Sequence, residues 1–222
     1  MNVSKSSESF NTFFPTCAWI AKDILAPPIR RNLTRLVTDH KKTYPNQTAN
    51  HFLSDIYTTI NYNPQLFKEE DYKELSHCIL SNCRSYYKEL EIDVDSYSFT
   101  FTEMWFNISH KGQYQDKHRH PNCLTSGSYY LAVPPNSGAL YLHSPLNSQL
   151  IVPVKKGTLE NTSLVTIEPQ ENSLILFPSW LEHSVGQNKF DELRISISFN
   201  INIYPKSFPN ELIEKHGSPS RC

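Results

Sequence analysis

The sequence predicts an α+β fold, in which a double-stranded β-helix, or jelly roll, carries N-terminal supporting helices. Three observations predict it. Apolar residues recur at helical spacing in the first part of the chain, and from Asp95 onward they alternate with period two. Turn signals rich in Pro, Gly and Asn separate about eight short strands. We therefore expect an N-terminal helical segment (1–94), a β-helix core (95–205) and a C-terminal tail (206–222).

Two main helices are predicted in the N-terminal segment. Pro27-Pro28 favours a helix start, and apolar spacing continues to about Thr43. A second helix is expected over 69–90, because its first turn is acidic and one face is apolar. That face comprises Tyr72, Leu75, Ile79, Cys83, Tyr86 and Leu90. Shorter elements are expected as a strand followed by a short helix within 10–25, and as a short helix within 51–60.

The predicted strands begin with pieces of the stretch 97–105. Each is rich in β-branched or aromatic residues and ends at a turn signal. The others lie at 128–133, 139–142, 150–154, 164–167, 173–177 and 194–204.

Composition excludes some classes of function. The net charge is −1, from 21 basic and 22 acidic residues, which argues against an electrostatic grip on nucleic acid or on an acidic membrane. Five cysteines without a CxxC pair indicate a reducing compartment. No secretory signal and no run of about 20 apolar residues is visible. These features predict a soluble, cytoplasmic protein.

Three histidines form the candidate metal site. His118 and His120 are two residues apart, and side chains at that spacing share a face of an extended chain. His183, on a later strand, is the third candidate, since a jelly roll brings such strands side by side. A single strand histidine is more often a hydrogen-bonded residue than a ligand, but the combination indicates a metal site. Asp116 is an alternative ligand.

A charged position on the last strand is the candidate anion site. Arg194 and Ser196 alternate there with Ile195 and Ile197, so one face of the strand is polar and the other apolar. A guanidinium inside the barrel would bind a carboxylate as a fork, with Ser196 adding a hydroxyl. The alternative is a surface arginine in a salt bridge.

The motifs together resemble the iron(II)- and 2-oxoglutarate-dependent oxygenases, in their bacterial and phage branch, which is similar to prolyl hydroxylases. The resemblance covers about residues 97–204, and only loosely the helices before them. It rests on these motifs: Trp105-x-Asn107, Gly112, His118-x-His120-Pro121, Ser126-Gly127-x-Tyr129-Tyr130-Leu131, Ser137-Gly138-x-Leu140, Phe177-Pro178-Ser179-Trp180-x-x-His183 and Arg194-x-Ser196-x-Ser198-Phe199-Asn200.

The resemblance implies a hydroxylase that consumes O2 and 2-oxoglutarate and releases succinate and CO2, with Fe(II) as cofactor and ascorbate as a possible reductant. The substrate would be a small molecule or a peptide. The implied residue roles are metal ligation by His118, His120 and His183, 2-oxoglutarate binding by Arg194, Ser196 and Tyr130, and a substrate pocket or plain core packing for Trp105, Asn107 and Trp180.

One position departs from the wider superfamily, whose metal site has two histidines and one carboxylate. His120 stands where that carboxylate is usual, so the site has one negative charge fewer. Two other functions stay open. A cupin-type metal dioxygenase would not use 2-oxoglutarate, but the later Glu of the cupin motif is missing between Pro121 and Gly127. A non-catalytic metal-binding jelly roll would need a fourth ligand, for which no candidate has suitable spacing.

Overall fold

The computed structural model describes residues 9–49, 52–146 and 154–209. These ranges contain helices α1 (Pro27–Thr43) and α2 (Lys73–Glu89), and short 3₁₀ turns at Leu66–Lys68, Glu70–Tyr72 and Val94–Ser96. The strands are β1 (Trp19–Ala21), β2 (Tyr57–Thr58), β3 (Tyr97–Ser109), β4 (Gln115–His118), β5 (Thr125–Ala132), β6 (Leu140–His143), β7 (Leu164–Ile167), β8 (Ser173–Pro178), β9 (His183–Val185) and β10 (Arg194–Pro205).

The strands form two sheets that together make the double-stranded β-helix. The larger sheet has six strands in the order β1-β8-β5-β10-β3-β2, and the smaller sheet has the order β4-β9-β6-β7. All pairings between these strands are antiparallel. The predicted α+β jelly roll with N-terminal helices is therefore confirmed.

The two helices pack with one face of the larger sheet in the main hydrophobic core. Leu33 of α1 and Ile79 of α2 are fully buried there, in one cluster with Ile197 and Phe199 of β10. Period-two alternation then turns Ser196 and Ser198 of the same strand to the opposite face. The helices thus leave the polar face of the sheet free to line a cavity. Neither described helix is long and apolar enough to cross a membrane.

The helix predictions are partly confirmed. The first helix has the predicted bounds, because Pro at its first positions suits a helix start and basic residues suit its last turn. In α2 the expected stripe is buried except for Leu90, which lies just beyond the helix and is 39% exposed, while Tyr87 is buried. The acidic first turn is a 3₁₀ turn.

The two shorter predicted helices are wrong. Within 52–60 the chain instead forms β2, whose residues pair with Ile108 and Asn107 of β3; residue 51 lies outside the described part. Between residues 10 and 25 the strand β1 is present, but no helix follows it before Pro27. In both places pairing with a longer strand decides the local conformation, which a short window of sequence does not reveal.

Most strands lie where they were predicted. The pieces at 97–105 form one continuous strand of 13 residues, and β7 has the predicted bounds. The bounds of β4 and β9 were not predicted, because each strand is short and carries polar residues, although His118 and His183 were expected on strands. The strand predicted at 150–154 falls almost wholly outside the described residues, as does the tail from residue 210.

Candidate metal centre and active-site cavity

Polar side chains cross the inner face of the larger sheet in three successive rows. Each row has a central residue on β10, flanked by one residue of β3 and one of β5. Pairing between strands distant in sequence therefore creates the cavity wall. The rows are Asn107–Ser196–Tyr130, Trp105–Ser198–Ser128 and Glu103–Asn200–Ser126.

The smaller sheet supplies the opposite wall. His118 at the end of β4 lies directly opposite His183 at the start of β9 in the antiparallel register, and Leu140 and Val185 add apolar surface. Between the walls lies a cavity with an empty volume of about 450 Å³, which includes its opening to solvent. All three candidate ligands and Arg194 line it.

The three candidate ligands converge on one point. One nitrogen from each of His118, His120 and His183 lies within 4.8 Å of the others. The ring centroids of His118 and His183 are 4.2 Å apart, and each lies 5.1 Å from that of His120. Such a cluster of imidazole nitrogens suits a divalent transition metal.

Backbone carbonyls orient two of the three rings. Nδ1 of His118 donates to the carbonyl oxygen of Asp116 at 2.7 Å, and Nδ1 of His183 donates to that of Leu181 at 2.9 Å. Because a carbonyl oxygen only accepts, the proton belongs on Nδ1 and the lone pair on Nε2. This arrangement directs Nε2 as a metal ligand.

Burial keeps the imidazoles neutral. Desolvation, followed by the charge of His118, lowers the pKa of His120 to about 3. Desolvation, followed by the charges of His118 and His120, lowers the pKa of His183 to about 2. A neutral imidazole has the free lone pair that metal binding requires, so at neutral pH these two rings are in the ligating form.

Arg194 lies in the same cavity without an acidic partner. It is 4% exposed, and its Nη1 donates to the carbonyl oxygen of Gly138 at 3.2 Å. Its buried Nε has no hydrogen-bond partner among the described residues. None of the ion pairs among the described residues includes it. A buried, uncompensated guanidinium is costly unless an anion binds it.

Tyr130 and Ser196 lie beside this guanidinium. Burial raises the pKa of Tyr130 to about 12, although the charge of Arg194 acts in the opposite direction. The phenol is therefore protonated at neutral pH and available as an O–H donor. Together the three residues offer an anion a guanidinium and two hydroxyl groups.

Two further buried polar atoms in the cavity lack partners. They are Nε1 of Trp105 and Oδ1 of Asn107, while the Asn107 Nδ2 donates to Ser198 Oγ at 3.2 Å. Trp180, the other predicted pocket residue, is 53% exposed and does not line the cavity.

The alternative ligand Asp116 is outside the cluster, and its carboxylate accepts from the backbone N–H of Leu53 at 3.2 Å. His143, another histidine on the smaller sheet, is also outside it and lies 2.9 Å from Ser184 Oγ. The candidate metal-ligand set among the described residues thus has three imidazoles and no carboxylate.

The sequence prediction missed several lining residues. Gln115, Ser126, Ser128 and Ser198 also face the cavity. The alternation of serine with apolar residues on β5 and β10 is a signal that could have identified three of them, because period two places alternate side chains on one face. No comparable signal marks Gln115, since β4 does not read as a strand.

The comparisons with known proteins agree with this geometry. Residues 103–200, which include all three histidines and Arg194, match the family model described as "Putative 2OG-Fe(II) oxygenase". This part of the chain is therefore similar to the 2-oxoglutarate/iron(II) oxygenases. No curated protein matches the sequence significantly. The oxygenase family uses Fe(II) as cofactor and 2-oxoglutarate as cosubstrate, and the three imidazoles fit the metal.

Solved structures show the same fold at low identity. A prolyl-4-hydroxylase from Pseudomonas putida is 15% identical, matches over 84% of this chain and 92% of its own chain, and gives a TM-score of 0.58. A prolyl hydroxylase from Trichoplax adhaerens is 18% identical, with coverages of 83% and 82% and a TM-score of 0.59. AviO1 from Streptomyces viridochromogenes is 14% identical, with coverages of 87% and 92% and a TM-score of 0.57.

Proposed function

We propose that this oxygenase hydroxylates a C–H bond of its substrate, consuming O2 and 2-oxoglutarate and releasing succinate and CO2. One observation carries the proposal. Three convergent imidazoles and a buried guanidinium without a counter-ion line the same cavity. A metal site and an anion site in one cavity suit a dicarboxylate that reaches from one to the other.

The proposed roles of the histidines follow from their orientation. His118 and His183 offer Nε2 because their Nδ1 atoms donate to backbone carbonyls, and His120 completes the set. When bound, Fe(II) supplies the activation of O2 for C–H oxidation. Three protein ligands leave positions on the metal for other groups, and the surrounding wall, including Phe177 and Leu140, limits the access of water.

The proposed role of Arg194 is to bind the distal carboxylate of 2-oxoglutarate. Its Nε has no other partner, and the carboxylate would supply the charge that this buried cation lacks. Ser196 and the protonated Tyr130 would donate hydroxyl hydrogens to the same group. Hydrogen bonds with an ionised partner are roughly twice as strong as neutral ones.

The unpartnered atoms of Trp105 and Asn107 are candidates for contacts with the substrate or with the rest of the cosubstrate. Both are polar atoms in a buried position, and a buried polar atom without a partner costs about 1–3 kcal/mol. A bound ligand that satisfies them recovers that energy. Trp180 is half-exposed and precedes His183 by three residues. Its indole is therefore a candidate contact for the part of a substrate that lies outside the cavity.

The proposed substrate is a peptide or a small molecule. The Trichoplax enzyme is described in complex with a hypoxia inducible factor peptide fragment, and another structural neighbour, SnoN, as an α-ketoglutarate-dependent epimerase of nogalamycin biosynthesis. Ascorbate is the proposed reductant in turnover assays. Among the described residues, Cys17, Cys78 and Cys83 form no disulfide, which supports a cytoplasmic location for the reaction.

Succinate formation from 2-oxoglutarate with Fe(II) and ascorbate tests the proposal. We expect Arg194→Ala to weaken 2-oxoglutarate binding by more than about tenfold, because it removes a charge-assisted contact worth about 1.5–3 kcal/mol. Metal binding should change little. The control is Arg35→Ala, which removes an exposed cation of α1. Equal loss of metal and 2-oxoglutarate binding would contradict the role of Arg194, and no turnover or 2-oxoglutarate binding by the iron-loaded wild type would contradict the function.

A further inference from the structure

His120 is held in a different way from the other two candidate ligands. His118 and His183 each donate from Nδ1 to a nearby backbone carbonyl. The polar atom beside Nδ1 of His120 is instead Nδ2 of Asn200, at 3.5 Å. A histidine that ligates a metal through Nε2 carries its proton on Nδ1, and the amide Nδ2 is also a donor. At this distance the two groups therefore make a packing contact and not a hydrogen bond. The location of the third ligand therefore depends on a side chain.

The Asn200 side chain is itself held at both ends. Its Nδ2 donates to Oε2 of Glu103 at 2.7 Å, and its Oδ1 accepts from Ser126 Oγ at 2.7 Å. Because an ionised carboxylate only accepts, Glu103 determines which end of the amide faces it. Asn200 is 1% exposed, so no bulk water replaces these partners.

The same network also holds the backbone of His120. Ser126 Oγ lies 2.8 Å from Ser179 Oγ, and the backbone N–H of His120 donates to the carbonyl oxygen of Ser179 at 3.0 Å. Both Ser126 and Ser179 are buried. The backbone of His120 is thus connected to the row of hydrogen bonds that begins at Glu103, and its ring packs against Asn200 of the same row.

We propose that Glu103 is a positioning residue for the third metal ligand, acting through Asn200 on His120. The inference rests on the proposed function, since it assumes that the three histidines bind the metal. Outer-shell partners of metal ligands typically contribute about 10- to 100-fold in metal affinity. The position is sensitive here because His120 lacks the backbone acceptor that the other two rings have.

Co(II) binding to the full chain, followed by visible absorption, tests the proposal without turnover. We expect Glu103→Ala and Asn200→Ala each to weaken Co(II) binding by about tenfold and to change the Co(II) absorption spectrum. Glu103→Gln should stay within about threefold of the wild type, because its amide oxygen still accepts from Asn200 Nδ2. The control is Glu171→Ala, which removes a carboxylate in an exposed ion pair with Arg30 and should leave Co(II) binding unchanged.

The double variant separates a positioning role from a general structural one. If Glu103 acts through Asn200, Glu103→Ala should have no further effect on Co(II) binding when Asn200 is already Ala. Additive losses, or a Glu103→Ala affinity within twofold of the wild type, would overturn the proposal. Circular dichroism of each variant without metal checks folding. A wild type that binds no Co(II) would instead refute the metal site, and hence the proposed function.

Discussion

At the scale of single residues, the cavity holds unsatisfied polar groups that a folded protein normally avoids. Nε of Arg194, Nε1 of Trp105 and Oδ1 of Asn107 are buried without partners, although most buried polar atoms in proteins are hydrogen-bonded. All three belong to residues that line one cavity. Their concentration there indicates that the cavity is shaped for a polar ligand.

The metal site gives the first residue-scale prediction. His183→Ala removes a ligand whose Nε2 is directed into the cluster. We expect the affinity for Co(II) and Fe(II) to fall by more than about 100-fold. Removal of a residue that only hydrogen-bonds to a metal ligand already lowers metal affinity by about 10- to 100-fold. Titration calorimetry checks it. His143→Ala is the control on the same sheet, and an equal loss in that variant would contradict the assigned ligand set.

Two adjacent tyrosines give a second prediction, because they face opposite sides of β5. Tyr129 belongs to the main hydrophobic core and donates to the Asn172 side chain at 3.0 Å. Tyr130 instead lines the cavity. We expect Tyr130→Phe to weaken 2-oxoglutarate binding several-fold with little loss of stability. Tyr129→Phe should lower the free energy of unfolding by about 1 kcal/mol and leave 2-oxoglutarate binding unchanged. Urea unfolding measures the stability of each variant, and calorimetry measures its 2-oxoglutarate binding. A loss of stability in Tyr130→Phe and of binding in Tyr129→Phe would contradict the orientation of the strand.

At the scale of secondary structure, local signals predicted the elements that carry their own pattern. Pro27 and Pro28 mark the start of α1, and strict alternation marks β7 and β10. The bounds of β4 and β9 were not predicted, because these strands have four and three residues and depend on pairing with each other. The three histidines that converge in the cavity were nevertheless predicted as a group, since their spacing resembles a family motif.

The row Glu103–Asn200–Ser126 was not predictable in the same way. Its members come from three strands, with Asn200 separated by 97 residues from Glu103 and by 74 from Ser126. Their contact follows from the register of β10 with β3 and β5. A one-residue shift of that register would turn the side chains to the other face of the sheet, so sequence spacing alone does not identify the network.

The close approach of the paired strands β5 and β8 at Gly127 gives the prediction at the scale of secondary structure. A Cβ atom at Gly127 would lie 2.5 Å from the Ile175 carbonyl oxygen and 2.6 Å from the Phe199 ring. We therefore expect Gly127→Ala to lower the free energy of unfolding by about 1–3 kcal/mol. Gly157→Ala, with nothing within 4 Å of the new Cβ, should have little effect. Urea unfolding of both variants checks this, and equal stabilities would show that the strands accommodate the methyl group.

At the scale of the whole molecule, stability and function lie on opposite faces of the larger sheet. The outer face packs with α1 and α2 in an apolar core that includes Leu33, Ile79 and Phe199. The inner face bears the three rows, and all of their residues except Glu103 and Asn200 line the cavity. The helices thus bury the apolar outer face of the sheet, which supplies the hydrophobic core that the polar inner face does not. This division allows the inner face to keep unsatisfied groups for a ligand.

The last prediction follows from this division, because ligands that satisfy the inner face should stabilise the whole fold. At about 100 times its dissociation constant a ligand adds about 2.7 kcal/mol, or about 5–10 °C in Tm for a chain of this length. We expect such a shift with Co(II), and a further shift with 2-oxoglutarate that is larger when Co(II) is present. Arg194→Ala should lose only the second shift, and His183→Ala should lose the first. Thermal unfolding followed by circular dichroism measures both, with chelator-treated protein as the reference. A full 2-oxoglutarate shift in the Arg194→Ala variant would show that the dicarboxylate binds elsewhere.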